Sequence, residues 1–225
     1  MIKSLFLQKI WSLVRITEHN DWVVYCILGS IFAYIIVLSV FNRDANIKDF
    51  LTQKIEDSNN LTPSWTIISI VRSVMIAVLL SQFVPVVPKL ISDIQLFGVQ
   101  LNKFGFALLA VLTFDIVKNL LTFFFYNSIG DGKNLKGLAL ISSKFYFLES
   151  IGLIIAGFAL YFYPLDLVQY FYVIIIVLIS LFVLKNLIYI FHNQAILPEK
   201  WYYKFLYICT LQIVPVLVLW KFLFY

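Results

Sequence analysis

Long apolar runs separated by short polar connections set the pattern of this chain. Six runs stand out, at residues 22–41, 65–84, 104–126, 138–163, 167–191 and 203–223. A helix rises ~1.5 Å per residue, so about 20 residues cross ~30 Å of hydrocarbon, and each run meets that length. The pattern predicts an all-α, polytopic transmembrane helix bundle of about six spans, forming a single helical domain over 22–225. Residues 1–21 read differently. Ile2, Phe6, Ile10 and Val14 recur at helical spacing with Lys3, Gln8, Ser12 and Arg15 between them. This is the signature of an amphipathic helix lying on the interface, with Trp11 at headgroup depth. No small-residue cleavage site follows the run that opens at Trp22, which therefore reads as a retained anchor.

The connections sharpen these limits. Trp22, Trp65 and Trp201 stand at run starts and Trp220 near a run end, where an indole has an apolar ring and a wet N–H. In the longest polar connection, 42–64, Ile47, Phe50, Leu51 and Ile55 recur at helical spacing and predict a short surface helix. Thr62 followed by Pro63 is a helix-start signal, a hydroxyl cap and then proline at the first helical position. Pro85 and Pro88 end or kink the second run. The half-apolar stretch 89–103 lies on the membrane surface or re-enters it. Gly130, Asp131 and Gly132 are turn chemistry, and Pro164, Leu165 and Asp166 join the fourth and fifth runs in a tight hairpin.

Polar residues inside the runs carry the chemistry. They are Arg72, Asp115, Lys118, Asn119, Glu149, Lys185, Asn186 and Gln212. A charge at the centre of a membrane helix costs roughly 2.5–3.5 kcal/mol on insertion scales, so such groups turn inward and pair. The spacing of Asp115, Lys118 and Asn119 puts them on one helical face, with Asp115 and Lys118 able to pair within the helix. Arg72 and Lys185 are the cross-helix candidates for Glu149. Lys118 and Lys185 lie near enough to their run ends to snorkel to the interface. The expected arrangement is a closed ring of six helices with these groups facing inward. VKNLLTFFF at 117–125 resembles LKNLIYIFH at 184–192, a weak internal repeat centred on Lys-Asn.

Composition narrows the class. The chain is 62% hydrophobic and 13% charged, against about 25% charged in soluble domains. The surplus of Lys and Arg forms no basic block, so it fits lipid headgroups and not nucleic acid. Counted over the loops, it places loops one, three and five in the cytoplasm and both termini outside. Cys26 and Cys209 fall inside apolar runs and read as small buried hydrophobes. There is no HExxH helix, GxSxG elbow, paired-aspartate motif or glycine-rich phosphate loop. His19 and His192 sit near run ends without acidic or cysteine neighbours at ligand spacing. No cofactor, no metal and no enzymatic activity is expected.

The stretch from Leu197 is the most distinctive. Pro215 frees a carbonyl one turn earlier, near Leu211, and bends the helix, with Thr210 and Gln212 close enough to satisfy it or to reach a neighbouring helix. The run LYICTLQIVPVLVL, at 206–219, resembles the closing signature of a family of uncharacterised multi-span integral membrane proteins of Bacteroidota, catalogued as a domain of unknown function. That family often has an acid where this chain has Gln212, which weakens a proton-carrying role for the position. The resemblance implies a multi-pass protein of the bacterial inner (cytoplasmic) membrane and brings no activity, substrate or cofactor.

The first functional expectation is a non-enzymatic structural or accessory subunit of a membrane complex, with the lipid bilayer and other membrane subunits as its partners. The alternative is a small transporter or channel using Asp115, Lys118, Glu149 and Lys185. A lipid-modifying enzyme with a groove beside His192 and Glu149 ranks last.

Overall fold

A computed structural model describes residues 21–41, 47–52, 61–84, 95–96, 99–100, 102–130, 132–164, 166–191, 197–198 and 200–224. Residues 1–20 of the interfacial helix expected over 1–21, Pro85 and Pro88, most of 89–103, and both histidines, His19 and His192, lie outside these residues.

The architecture is all-α. Helix α1 (Asp21–Ile36) continues through a π turn (Val37–Phe41). A short α2 (Ile47–Thr52) follows, then α3 (Leu61–Phe83), α4 (Lys103–Ile129), α5 (Gly132–Phe162) and α6 (Leu167–Phe191). The C-terminal rod combines α7 (Trp201–Leu206), a second π turn (Tyr207–Ile213) and α8 (Val214–Phe224). Among the described residues, six helices are long and apolar enough to cross a membrane. Between α3 and α4, Gln95–Leu96 pairs antiparallel with Val99–Gln100, a minimal hairpin where a surface or re-entrant segment was expected.

Local chemistry explains the ends. Asn102 caps α4 by accepting a hydrogen bond from the Gly105 amide at 2.8 Å. Gly130 closes α4 with φ 77°, the left-handed conformation that glycine adopts without a side-chain clash. The expected turn is therefore a helix cap, and α4 runs three residues beyond the predicted 126. Asp166 caps α6 by accepting from the Val168 amide at 3.0 Å. Helix α3 starts at Leu61, so Thr62 and Pro63 lie inside its first turn and not before it. Proline is tolerated there because first-turn N–H groups have no helical partner.

The helices do not form a ring of equals. Helix α3 runs through the middle, packing most extensively on α5 and α4 and also on α1. Buried residues recur along the whole of α3, whereas residues 167–184 of α6 hold none. Small residues make the close approach possible: Ser69, Ser73, Ala77 and Ser81 recur every fourth position of α3, and all are buried. Across from them, a Cβ on Gly157 of α5 would sit 3.4 Å from Met75 Cε. Phe50 of α2 is buried against Phe147 of α5, with ring centroids 5.4 Å apart. The predicted surface helix is thus a plug on the core, while its Ile47 stays exposed.

Candidate functional site

Arg72 stands at the midpoint of α3, and a polar cluster assembles around it. Its Nη2 donates to Asp115 Oδ1 of α4 at 2.7 Å, and its Nη1 lies 3.5 Å from Glu149 Oε2 of α5. Ser73 Oγ donates to the other Asp115 oxygen at 2.6 Å. One guanidinium thus serves two carboxylates on two helices, using the fork geometry that suits arginine and not lysine. The guanidinium carbon also lies 4.0 Å from the ring centroid of Tyr146, a cation–π contact.

Tyr146 of α5 is the hub of the second half. Its hydroxyl accepts from Lys118 Nζ of α4 at 3.1 Å and from Lys185 Nζ of α6 at 3.3 Å. Lys185 also donates to Gln212 Oε1 at 3.3 Å, and Gln212 Nε2 donates to the Tyr207 hydroxyl at 2.9 Å. Both lysines are buried, 7% and 4% exposed, and their ammoniums point into the protein. This corrects the expectation that they snorkel to the interface. The expected pair within α4 does not form either, since Asp115 turns to α3 and Lys118 to α5.

The cluster draws on α3, α4, α5, α6 and the second π turn. Helix α1 approaches through Tyr34, whose hydroxyl is hydrogen-bonded to Ser150. The π turn ends two residues before Pro215, and its exit is marked by the Val214 amide bonding Cys209 O. A widened turn moves carbonyls away from the proline ring, which would clash in a regular helix. The expected bend is thus a π turn that presents Tyr207, Leu211 and Gln212 inward while Thr210 faces out.

Of the eight residues singled out from the sequence, six join this connected set: Arg72, Asp115, Lys118, Glu149, Lys185 and Gln212. Asn186 is buried beside it, donating to Phe182 O at 2.9 Å, and its Oδ1 has no partner among the described residues. Asn119 is only half-buried and stands outside the cluster. Sequence reasoning passed over Tyr146, Ser73 and Tyr207. Their signal was a hydroxyl within an apolar run, a feature shared by many residues here that do something else. Among the described residues, no group of three or more His, Cys, Asp or Glu side chains is placed to hold a metal ion.

Fold and site together define an all-α protein with six long apolar helices and an ionic cluster buried between five of them. Residues 22–223 match the family described as Domain of unknown function (DUF4271), and the chain belongs to that family. The match covers nearly the whole length, and it bears out the expectation of a domain of unknown function. No curated protein and no solved structure matches the chain.

Proposed function

We propose that this is a multi-pass integral protein of a bacterial inner membrane, working as a small transporter or channel through its buried ionic cluster. The membrane reading is supported by the outer surface. Large apolar side chains stand exposed on every long helix, among them Phe32, Ile70, Ile116, Ile155, Ile176 and Leu217. A surface of that kind needs lipid or protein to cover it.

One observation carries the transport reading. Five ionisable side chains from four helices converge, Arg72, Asp115, Lys118 and Glu149 near their helix midpoints and Lys185 toward the C-terminal end of α6, and two of them, Lys118 and Lys185, have no carboxylate within ion-pairing distance among the described residues. A cluster that only fixed packing would be served as well by apolar residues of similar volume. Ionisable groups held at mid-depth mark ion and proton paths in membrane proteins.

The test is flux in proteoliposomes of the purified full chain, read with proton-, sodium- and chloride-sensitive dyes under an imposed potential. Flux of one ion above that of empty vesicles is expected, falling at least about ten-fold, or ~1.4 kcal/mol in barrier, in Glu149→Gln and Lys185→Met. Tyr170→Phe, which removes a hydrogen bond to Ala156 O two turns from Glu149, is expected to keep wild-type flux. No flux for any of the three ions, or unchanged flux in both cluster variants, overturns the proposal.

The accessory-subunit reading has its own support, the apolar outer stripe of α6. Val168, Tyr172, Ile176, Ile179, Val183 and Leu187 are all exposed along the full helix. A stable partner retained in mild detergent and lost in Ile176→Asn favours that reading.

A further inference from the structure

The geometry points to a proton vacancy shared by Lys118, Tyr146 and Lys185: together they hold one proton fewer than two ammoniums and a phenol would. It rests on the transport reading only in naming the ion moved, which is then the proton.

Two independent counts lead there. The first is hydrogen-bond capacity. A lysine ammonium has three donors and no acceptor, while a phenol has one donor. Among the described residues, the polar neighbours of the Tyr146 hydroxyl oxygen are Lys118 Nζ at 3.1 Å and Lys185 Nζ at 3.3 Å. If both nitrogens were ammoniums and Tyr146 a phenol, the hydroxyl proton would have no acceptor and would face two cations. An orphaned buried donor costs about 1–3 kcal/mol and more beside charge. Removing one proton resolves the conflict. Either Tyr146 becomes a phenolate that accepts from both lysines, or one lysine becomes an amine whose lone pair accepts the phenol proton.

The second count is charge. The buried cluster holds three basic groups, Arg72, Lys118 and Lys185, against two carboxylates, Asp115 and Glu149. With every group in its ordinary state the cluster carries one uncompensated positive charge, which a low-dielectric interior penalises heavily. Losing one proton from the triad brings the sum to zero. Among the described residues, the groups facing the triad from the other packed elements supply no further charge. Gln212 is neutral, Tyr189 bonds Ser142 at 2.6 Å, Tyr207 accepts from Gln212, and Tyr34 of α1 bonds Ser150. Refilling the vacancy adds one proton to the Tyr146 oxygen or to a lysine nitrogen and returns the cluster to a net charge of plus one. Uptake and release of that proton are therefore coupled to the compensating charge around it, as an ion-translocating centre requires.

The experiment is solid-state NMR of the full chain in lipid nanodiscs, with 15N at the lysine side chains and 13C at the tyrosine ring carbon bonded to oxygen. At neutral pH, one tyrosinate carbon or one neutral-amine nitrogen is expected, vanishing with uptake of a single proton as pH falls. The same signal should be missing from both Lys118→Met and Lys185→Met, each of which restores charge balance with an ordinary phenol. Two ammoniums beside a neutral phenol in the wild-type chain at neutral pH overturn the vacancy, and this holds even if either variant fails to fold. A vacancy seen with no flux of any of the three ions overturns only the transport reading; flux seen without a vacancy overturns the vacancy alone.

Discussion

Arg72 holds Asp115 and Glu149 unequally, and the inequality has consequences. The Asp115 contact is short and doubled by Ser73; the Glu149 contact is longer. Removing one partner of a buried pair leaves an uncompensated charge and typically costs ~3–5 kcal/mol. Asp115→Asn is expected to cost that much in unfolding free energy, measured by denaturant titration in detergent micelles. Glu149→Gln is expected to cost about half, because its contact with the guanidinium is longer. Equal losses would show that the guanidinium is shared evenly. The members of the cluster that were legible in the sequence are those whose presence in an apolar run is expensive: Arg72, Asp115, Lys118, Glu149 and Lys185. Tyr146 was not legible. A tyrosine costs little in such a run, and nothing local distinguishes the one that collects two lysines. Asn119 shows the opposite error. The buried seam of α4 runs through Val111, Asp115, Lys118 and Thr122, and Asn119 falls just off it. Spacing placed it on the right half of the helix, but only packing decides where the seam's edge lies.

At the scale of elements, the sequence pattern predicts a ring of six equivalent helices. The structure instead puts α3 at the centre, its single charge flanked by serines and alanine at every fourth position. Small residues carry little signal in a hydropathy pattern, yet they set how closely helix axes approach. Gly157 is where this can be tested. Its missing side chain faces Met75 Cε at 3.4 Å and Val78 Cγ1 at 4.0 Å. In Gly157→Ala the flexible methionine yields, and the helix-propensity gain of up to ~1 kcal/mol offsets the crowding, so stability stays near wild type. Gly157→Ile forces α3 and α5 apart and is expected to cost ~1–3 kcal/mol, with a matching fall in melting temperature. If both variants behaved alike, the α3–α5 contact would not be the tight one. The second π turn makes the same point. Pro215 announced a break in the sequence, but which polar neighbour would turn inward depended on the widened turn, and it is Gln212.

For the molecule as a whole, the burial of α6 is the most informative asymmetry. Its residues 167–184 include none that is buried, yet just beyond them Lys185, Asn186 and Tyr189 are enclosed. Helix α6 is therefore anchored at one end by its polar contacts and packs along the rest of its length mainly on α5. In a bilayer this gives the helix two environments along one axis. Its stripe of Val168, Tyr172, Ile176, Ile179, Val183 and Leu187 meets acyl chains, and its Lys185 end meets the cluster. Nitroxide labels on cysteines placed along the stripe, in a background lacking Cys26 and Cys209, read this directly. Collision with oxygen should be greatest at Ile176 and fall toward Val168 and Leu187, because oxygen concentrates at the bilayer centre. Collision with a water-soluble nickel complex should follow the opposite gradient. A label at Tyr189 should be immobile and inaccessible to both. If the stripe were instead shielded from oxygen along its length, another protein surface would cover it, and the accessory-subunit reading would gain at the expense of a free-standing transporter. The outward stripe thus separates the two functions that the interior cluster alone leaves side by side.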